Sequence, residues 1–205
     1  ECDFTRHTLL EPSFLYGGYP PKALRHKFLM AQSADARELT ADTLPEGFES
    51  IPLPGHFFDM AGLRTPDNVV FLADCLSSRE TLEKYRIGFI YDVKAYIDTL
   101  EKVKELEASC FVPAHAAVCA DVREIAQYNI DTVREIAERI VSVCSEPQSF
   151  EIILKRLFDE YSLELSLEQY ALVGSTVRSY LAYLLDEGRL CVKCEDNMLL
   201  WEAAD

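Results

Sequence analysis

The sequence predicts an α/β domain followed by a smaller module of helices and a β-hairpin. Between residues 48 and 143, short apolar runs typical of strands alternate with long amphipathic helices, which is the order found in α/β sheets. After Ser145-Glu146-Pro147 the pattern changes to helices and then a hairpin. We therefore expect one domain over residues 1–146 and a second over residues 147–205.

The N-terminal part carries few signals of regular structure. Residues 1–22 are predicted to be irregular, because the Gly-Gly and Pro-Pro pairs within them mark a loop. A short helix is expected from Lys22 to about Ala31, with Pro21 at its start. Ala36–Asp42 is compatible with either a strand or a loop. The chain has no initiator methionine, so we expect an internal starting point, from truncation, proteolysis or a chosen boundary.

Four strands are predicted in the first domain. Phe48–Leu53 is a short apolar run. Asp59–Arg64 and Val69–Ala73 flank the four-residue turn Thr65-Pro66-Asp67-Asn68, whose Pro, Asp and Asn are typical of a hairpin connection. Cys110–Val112 follows the first long helix as a fourth strand.

Two amphipathic helices accompany these strands. Asp92 is a plausible N-cap, and the residues behind it repeat apolar positions at steps of three and four as far as Leu106. The second helix is predicted from about Asp121 to Val143, again with one apolar stripe. Together with the strands, these helices give the strand-helix-strand-helix order that is typical of an α/β fold.

The second domain is predicted to contain three helices and a β-ribbon, an order resembling a winged-helix module. The first helix is expected at Phe150–Tyr161. The second is expected to begin at Ser166, where Gln169 completes a capping box, and the third covers Thr176–Asp186 and ends before Gly188. The ribbon joins Leu190–Lys193 to Met198–Trp201. Residues 147–205 contain five basic and eleven acidic residues, so the charge opposes duplex binding and favours packing or dimerisation.

The bulk composition excludes several partner classes. The 205-residue chain has a formal charge of −15, which repels nucleic acid and anionic membranes. Its seven cysteines are scattered and odd in number, which favours reduced, buried thiols in a cytoplasmic protein over a disulfide framework. No signal peptide is recognised. The pair Cys191 and Cys194 lacks a second ligand pair, so we interpret both as structural thiols.

Three of the predicted strands run into residues that bind metals. They lead to His56, Asp74 and His115. Because side chains just past neighbouring strands converge in open α/β sheets, we expect these three to share a pocket. Imidazole and carboxylate suit zinc, and also iron or manganese. Each residue also has a structural interpretation: His56 as a turn residue, Asp74 as an N-cap for a helix near Ser77, and His115 as the closure of a turn.

Three further residues are candidates around that pocket. Asp59 lies three residues beyond His56 and could hydrogen-bond a ligand imidazole, or be a solvated turn carboxylate. Tyr85 and Tyr91 flank the loop after Asp74 and could line a substrate pocket, or serve only in packing. No residue is assigned a catalytic role beyond metal ligation.

The segments IPLPGHFFDMAGLRTPDNVVFLADCL and CFVPAHA resemble the C-terminal half of the metallo-β-lactamase fold superfamily, an α+β sandwich. The resemblance implies that His56 binds one metal, that Asp74 bridges two, and that His115 binds the second. The H-x-H-x-D-H signature of that superfamily is absent from this chain. The resemblance therefore implies a fragment of a metal-dependent hydrolase.

The implied reaction is attack of a metal-activated water on an ester, thioester or similar bond of a small molecule. With part of the ligand set, this chain alone is expected to bind metal weakly and not to turn over substrate. The alternative is a non-catalytic remnant that forms a homo-oligomer, in which a second copy covers the exposed half of the fold.

Overall fold

The computed structural model describes residues 8–30, 39–40 and 42–204, and it is organised around one four-stranded sheet. The strands lie in chain order, with β1, β2 and β3 antiparallel and β4 parallel to β3. All four predicted strands of the first domain are therefore confirmed, within shifted bounds. These bounds are Glu49–Pro52 for β1, Ala61–Arg64 for β2, Val69–Ser77 for β3 and Cys110–His115 for β4.

The sheet has one covered face and one partly open face. On the covered face, Val70 and Leu72 of β3 are fully buried beside Phe111 of β4. On the opposite face, Phe71 of β3 pairs with Leu63 of β2 and Val112 of β4. Phe71 is 43% exposed although it lies on an inner strand, so this face keeps an accessible apolar patch.

Two long helices, α3 over Val93–Lys104 and α4 over Arg123–Val143, pack on the covered face. The predicted N-cap of α3 is confirmed, because the Asp92 carboxylate accepts a hydrogen bond from the Ala95 backbone N–H at 2.9 Å. The stripe of α4 buries residues such as Ile130 and Val133. This packing places the C-terminal end of β3 beside α4.

One of two short helices was not expected from the sequence, and the other was considered only as the helix near Ser77 for which Asp74 was an alternative N-cap. Helix α1 covers Leu10–Tyr16, inside the stretch predicted to be irregular, and α2 covers Arg79–Tyr85. Helix α1 forms because Leu15 packs with Leu24 in a second small core, which is a tertiary contact that local composition does not reveal. The helix expected over Lys22–Ala31 shortens to the 3-10 turn Lys22–Leu24, and residues 31–38 and 41 lie outside the described residues.

The prediction of three helices in the second domain was wrong. The structure has α5 over Phe150–Glu160 and a single continuous helix α6 over Leu167–Asp186. Gly174 lies within α6, and a β-carbon there would lie 3.5 Å from the Phe150 ring of α5, an ordinary packing distance. The predicted hairpin is present as β5 over Leu190–Glu195 and β6 over Met198–Ala203. The winged-helix comparison stays a prediction.

One buried core continues across residues 146 and 147. Leu154 of α5 and Val177 of α6 belong to the same apolar cluster as Ile130 of α4. The hairpin is also attached to the first domain, because the Ala203 backbone N–H donates to the Cys144 carbonyl oxygen at 2.7 Å. The proposed division into two domains stays a prediction.

The described cysteines differ in exposure and none is joined to another in the described part of the chain. Cys75 and Cys144 are buried, as expected, but Cys191 and Cys194 are exposed on β5, so the expectation of buried thiols was wrong for that pair. A cytoplasmic location stays a prediction. None of the described helices combines the length and the apolar character that crossing a lipid bilayer requires.

Candidate functional site

The turn after β1 is fixed in place before it presents His56. The Gly55 carbonyl oxygen accepts hydrogen bonds from the Tyr91 and Asp92 backbone N–H groups at 3.0 and 2.9 Å. Gly55 has φ +123°, and a β-carbon there would lie 2.3 Å from the Tyr96 α-carbon. Only glycine therefore allows this turn to contact the first turn of α3.

The His56 side chain is half-buried against Phe89, with ring centroids 5.4 Å apart in an edge-to-face arrangement. Burial holds the pKa of His56 below the usual 6.5, and the nearby His115 lowers it further. The Asp74 carboxylate and a hydrogen bond with the Phe89 backbone oppose that decrease in pKa. His56 is therefore neutral at neutral pH, which is the form that binds metals.

Asp74 follows an irregularity in β3. Ala73 has φ +48°, and the pairing of β3 with β4 shifts register on both sides of Ala73. Such bulges redirect the side chains that follow them and are frequent beside active sites. The Asp74 carboxylate lies 3.2 Å from Nε2 of His115, the last residue of β4. Both side chains are partly exposed, so the pair is accessible to a ligand.

The three predicted ligands lie in one region but do not form a complete metal site. In the described part of the chain, no group of three or more His, Cys, Asp or Glu side chains is arranged to hold one metal ion. The Asp74–His115 spacing nevertheless fits two ligands of tetrahedral zinc, whose donor atoms lie roughly 3.3 Å apart when each is about 2.0 Å from the metal. All three side chains are therefore of types that bind zinc, and the distance between Asp74 and His115 matches that of two zinc ligands. Ligation by all three stays a prediction.

The structural roles that the sequence suggested for Asp74 and His115 as alternatives to metal binding are only partly observed. The N-cap of α2 is Ser78, whose hydroxyl accepts a hydrogen bond from the Thr81 backbone N–H at 3.2 Å, so Asp74 is not the capping residue. His115 does contribute to the local connection, because its carbonyl oxygen accepts a hydrogen bond from the Ser78 backbone N–H at 2.9 Å. That contact leaves the His115 imidazole beside Asp74.

Asn129 holds the end of β3 from the middle of α4. Its side chain donates to the Ser77 carbonyl oxygen at 2.8 Å and accepts from the Ser77 backbone N–H at 2.9 Å. The Tyr96 hydroxyl donates to the same Asn129 oxygen at 3.3 Å. Sequence reasoning missed Asn129. The available signal was a polar residue within the apolar stripe of α4, where it is 1% exposed.

A cavity of about 60 Å³ lies behind His56 and Asp74. Its wall combines apolar side chains with Arg86, Tyr96 and Tyr180. His56 and Asp74 therefore face one shared space, and this agrees with the expectation that strand ends would bring them together.

The other candidates lie around the site. Asp59 is exposed on its turn, and the hydrogen bond of the His56 imidazole that raises its pKa is with the Phe89 backbone. Tyr85 is exposed at the end of α2, where its hydroxyl accepts a hydrogen bond from Lys84 at 3.0 Å. Tyr91 lines a separate, open groove of about 740 Å³ between α1 and α6. Roles for these three residues in the site stay predictions.

Comparison with known proteins identifies the fold. No family model matches the chain, and no curated protein matches its sequence. A metallo-beta-lactamase family protein from Thermus thermophilus superposes with a TM-score of 0.61 at 16% identity, covering 91% of this chain and 56% of that one. A beta-lactamase domain protein from Burkholderia ambifaria superposes with a TM-score of 0.63 at 18% identity, covering 98% of this chain and 60% of that one. The chain therefore has a metallo-β-lactamase-like α/β fold and spans less than two thirds of either protein.

Proposed function

We propose that this chain belongs to a metal-dependent hydrolase that cleaves an ester, thioester or similar bond of a small molecule. The observation that carries the proposal is the contact of Asp74 with His115 at the ends of two parallel strands. The fold supports it, because the two solved structures of similar fold are described as a metallo-beta-lactamase family protein and a beta-lactamase domain protein. A bound zinc, iron or manganese ion would supply a Lewis acid and a water of lowered pKa.

The residues of this chain would position that chemistry. Asp74 and His115 would act as paired ligands, and the irregularity at Ala73 turns the carboxylate toward the imidazole. His56, which lines the same cavity as Asp74, would contribute a neutral imidazole. Because these ligands would be divided between two ions, we expect the chain by itself to bind zinc weakly and to show no turnover.

Zinc titration by isothermal calorimetry tests the ligand assignment. Asp74→Asn and His115→Gln each remove one donor while nearly preserving its shape, so each is expected to weaken binding at least tenfold, or roughly 1.4 kcal/mol. Asp121→Asn is the matched control, because Asp121 is an exposed carboxylate paired with Arg123. Equal zinc affinity in Asp74→Asn and in the unaltered chain would remove the basis of the assignment.

Self-association is a second candidate function, favoured by the apolar patch on the open face of the sheet. Leu63, Phe71 and Val112 are neighbours on that face. We propose that a second copy covers this patch in a two-fold dimer, since accessible apolar surface of this kind drives association.

Sedimentation velocity at micromolar concentration tests this association. We expect a dimer that Phe71→Glu converts to a monomer, because a buried carboxylate opposes the contact. Tyr85→Ser alters a comparably exposed aromatic residue away from the patch and should leave the dimer intact. A monomeric unaltered chain would contradict the proposal.

A further inference from the structure

The cavity behind Asp74 contains a buried hydroxyl that the described residues do not satisfy. Tyr180 is 0% exposed and lines the cavity, yet its hydroxyl has no hydrogen-bond partner in the described part of the chain. The buried hydroxyl of the neighbouring Tyr161 is in the same condition. Unsatisfied buried donors are rare in native proteins, and a bound water, ion or ligand is one common explanation for them.

Arg86 brings a positive charge to the same cavity. It is the one arginine or lysine among the described residues that line this space, in a chain whose formal charge is −15. No described carboxylate lies within ion-pair distance of its guanidinium, although the described residues form twelve ion pairs elsewhere. The guanidinium is thus available to an anion from outside the chain.

The backbone holds Arg86 in an uncommon conformation. Its φ is +59° and its ψ −67°, and the Ile87 backbone N–H donates to the Tyr85 carbonyl oxygen at 2.7 Å across it. This tight turn ends α2 beside the cavity. A side chain at positive φ is uncommon outside glycine and asparagine, so the turn is a defined feature that directs Arg86 from the helix end.

We infer that this cavity binds a carboxylate group of the substrate, with the Arg86 guanidinium pairing with its charge and the Tyr180 hydroxyl donating a hydrogen bond to it. Arginine matches carboxylate oxygens in a bidentate geometry. The cavity, at about 60 Å³, has room for a small polar group such as a carboxylate. That the carboxylate belongs to a substrate rests on the proposed hydrolase function. That the cavity binds a carboxylate at all is independent of that function.

Water alone would leave the arrangement incomplete. Water molecules could satisfy the Tyr180 hydroxyl and hydrate the exposed Arg86, but they carry no charge that pairs with its guanidinium. The wall includes the apolar side chains of Leu82, Ile90 and Val133, and also the Asp74 carboxylate, whose repulsion of an anion Arg86 and Tyr180 have to outweigh. An anion with two acceptor oxygens satisfies both donors together.

Sodium acetate is the probe for this site, titrated against sodium chloride and sodium phosphate at matched ionic strength. Binding is measured as the rise in Tm of the whole chain, without metal or substrate. We expect acetate to raise the Tm above both other salts. Arg86→Gln and Tyr180→Phe should each weaken the apparent acetate affinity at least tenfold, because each removes one donor.

Two matched variants separate the site from general effects. Lys84→Gln removes a positive charge two residues from Arg86, and Tyr183→Phe removes a hydroxyl from α6 outside the cavity. Both should bind acetate as the unaltered chain does. If Arg86→Gln fails to fold, Arg86→Lys keeps the charge and should still weaken binding, because the two-pronged contact is lost.

Tyr180→Phe distinguishes the possible occupants. If a carboxylate is the natural occupant, this variant is at least as stable as the unaltered chain in chloride and loses only the response to acetate. Equal stabilisation by chloride, or unchanged acetate affinity in Tyr180→Phe, overturns the inference. A lower Tm of Tyr180→Phe in chloride, with no specific acetate response, identifies ordered water instead. Acetate binding that persists in a chain without zinc affinity would refute the hydrolase proposal and leave this one standing.

Discussion

Gly55 is the residue on which the position of His56 most directly depends. We expect Gly55→Ala to destabilise the protein by about 3 kcal/mol, because it combines an unfavourable positive φ with overpacking of the α3 backbone. The new β-carbon would lie 2.3 Å from the Tyr96 backbone nitrogen, which cannot move without displacing α3. The measurement is urea unfolding followed by circular dichroism.

Gly18→Ala is the control for the Gly55 prediction. Gly18 does not adopt a positive φ and has open space around the β-carbon position, so its substitution should change the free energy of unfolding by less than about 0.5 kcal/mol. Similar free energies for the two variants would mean that the turn does not contact α3 as closely as described.

Burial separates the cysteines into reactive and unreactive classes. It raises the pKa of Cys75 to about 12 and the pKa of Cys144 to about 11, so at pH 8 only about one Cys75 thiol in ten thousand is ionised. Cys191 and Cys194 are exposed. We expect brief iodoacetamide treatment at pH 8 to label the exposed pair and spare the buried pair, as measured by peptide mass spectrometry.

Unfolded protein provides the reference for the labelling experiment. In denaturant all four thiols should react, because unfolding exposes Cys75 and Cys144, which are both 0% exposed in the folded chain. Labelling of Cys75 at the rate of Cys191 in the folded chain would show that the end of β3 opens readily to solvent.

At the scale of elements, helix α6 contains a site that substitution should improve. Gly174 lies inside the helix, where a β-carbon would meet its nearest neighbour, the end of the Arg178 side chain, at 3.4 Å, and the Phe150 ring at 3.5 Å. These are ordinary or slightly tight contacts with movable groups. Gly174→Ala should therefore stabilise the protein by about 0.5–1 kcal/mol through helix propensity.

Destabilisation by Gly174→Ala would be equally informative. Arg178 lies over the Phe150 ring at 3.8 Å from its centroid, so a methyl group that displaced Arg178 would weaken this cation–π contact. A decrease in the free energy of unfolding would therefore show that the packing of α5 on α6 tolerates no added volume. Urea unfolding measures both results on the same scale.

The same elements show what local sequence can and cannot predict. The strands and α3 were predictable because apolar runs, the turn at residues 65–68 and the Asp92 cap are local signals. Helix α1 and the continuity of α6 were not, since they depend on the contact of Leu15 with Leu24 and on the burial of Val173 and Val177 in the shared core. Strand periodicity likewise gives no warning of the positive φ at Ala73.

The candidate site shows the same limit. Sequence order and strand ends were enough to select His56, Asp74 and His115, and the structure places the last two in contact. Other residues of the site come from elsewhere in the chain. Asn129, which holds the end of β3, lies on α4, and the cavity donors Arg86 and Tyr180 lie at the end of α2 and on α6. Residues so distant in the chain come together only through tertiary packing, which a single sequence does not reveal.

At the scale of the whole molecule, ion pairs and backbone contacts join the C-terminal hairpin and α5 to α4. Arg189 pairs with Glu138 at 2.7 Å, and Arg139 pairs with Glu160 at 3.0 Å. Surface pairs of this kind add little stability, so the shared apolar core provides most of the coupling. A core that crosses residues 146 and 147 should melt as one unit.

We therefore expect one cooperative unfolding transition for the described fold. Trp201 is the single tryptophan of the chain and lies on β6, so its fluorescence reports on the hairpin, while far-ultraviolet circular dichroism reports on all helices. The two midpoints in urea should coincide. Leu154→Ala in the shared core should lower both midpoints together, at a cost of roughly 2–5 kcal/mol, whereas the exposed Leu165→Ala should leave them unchanged. Separate midpoints, with Leu154→Ala shifting only one, would establish that residues 147–205 unfold as an independent domain.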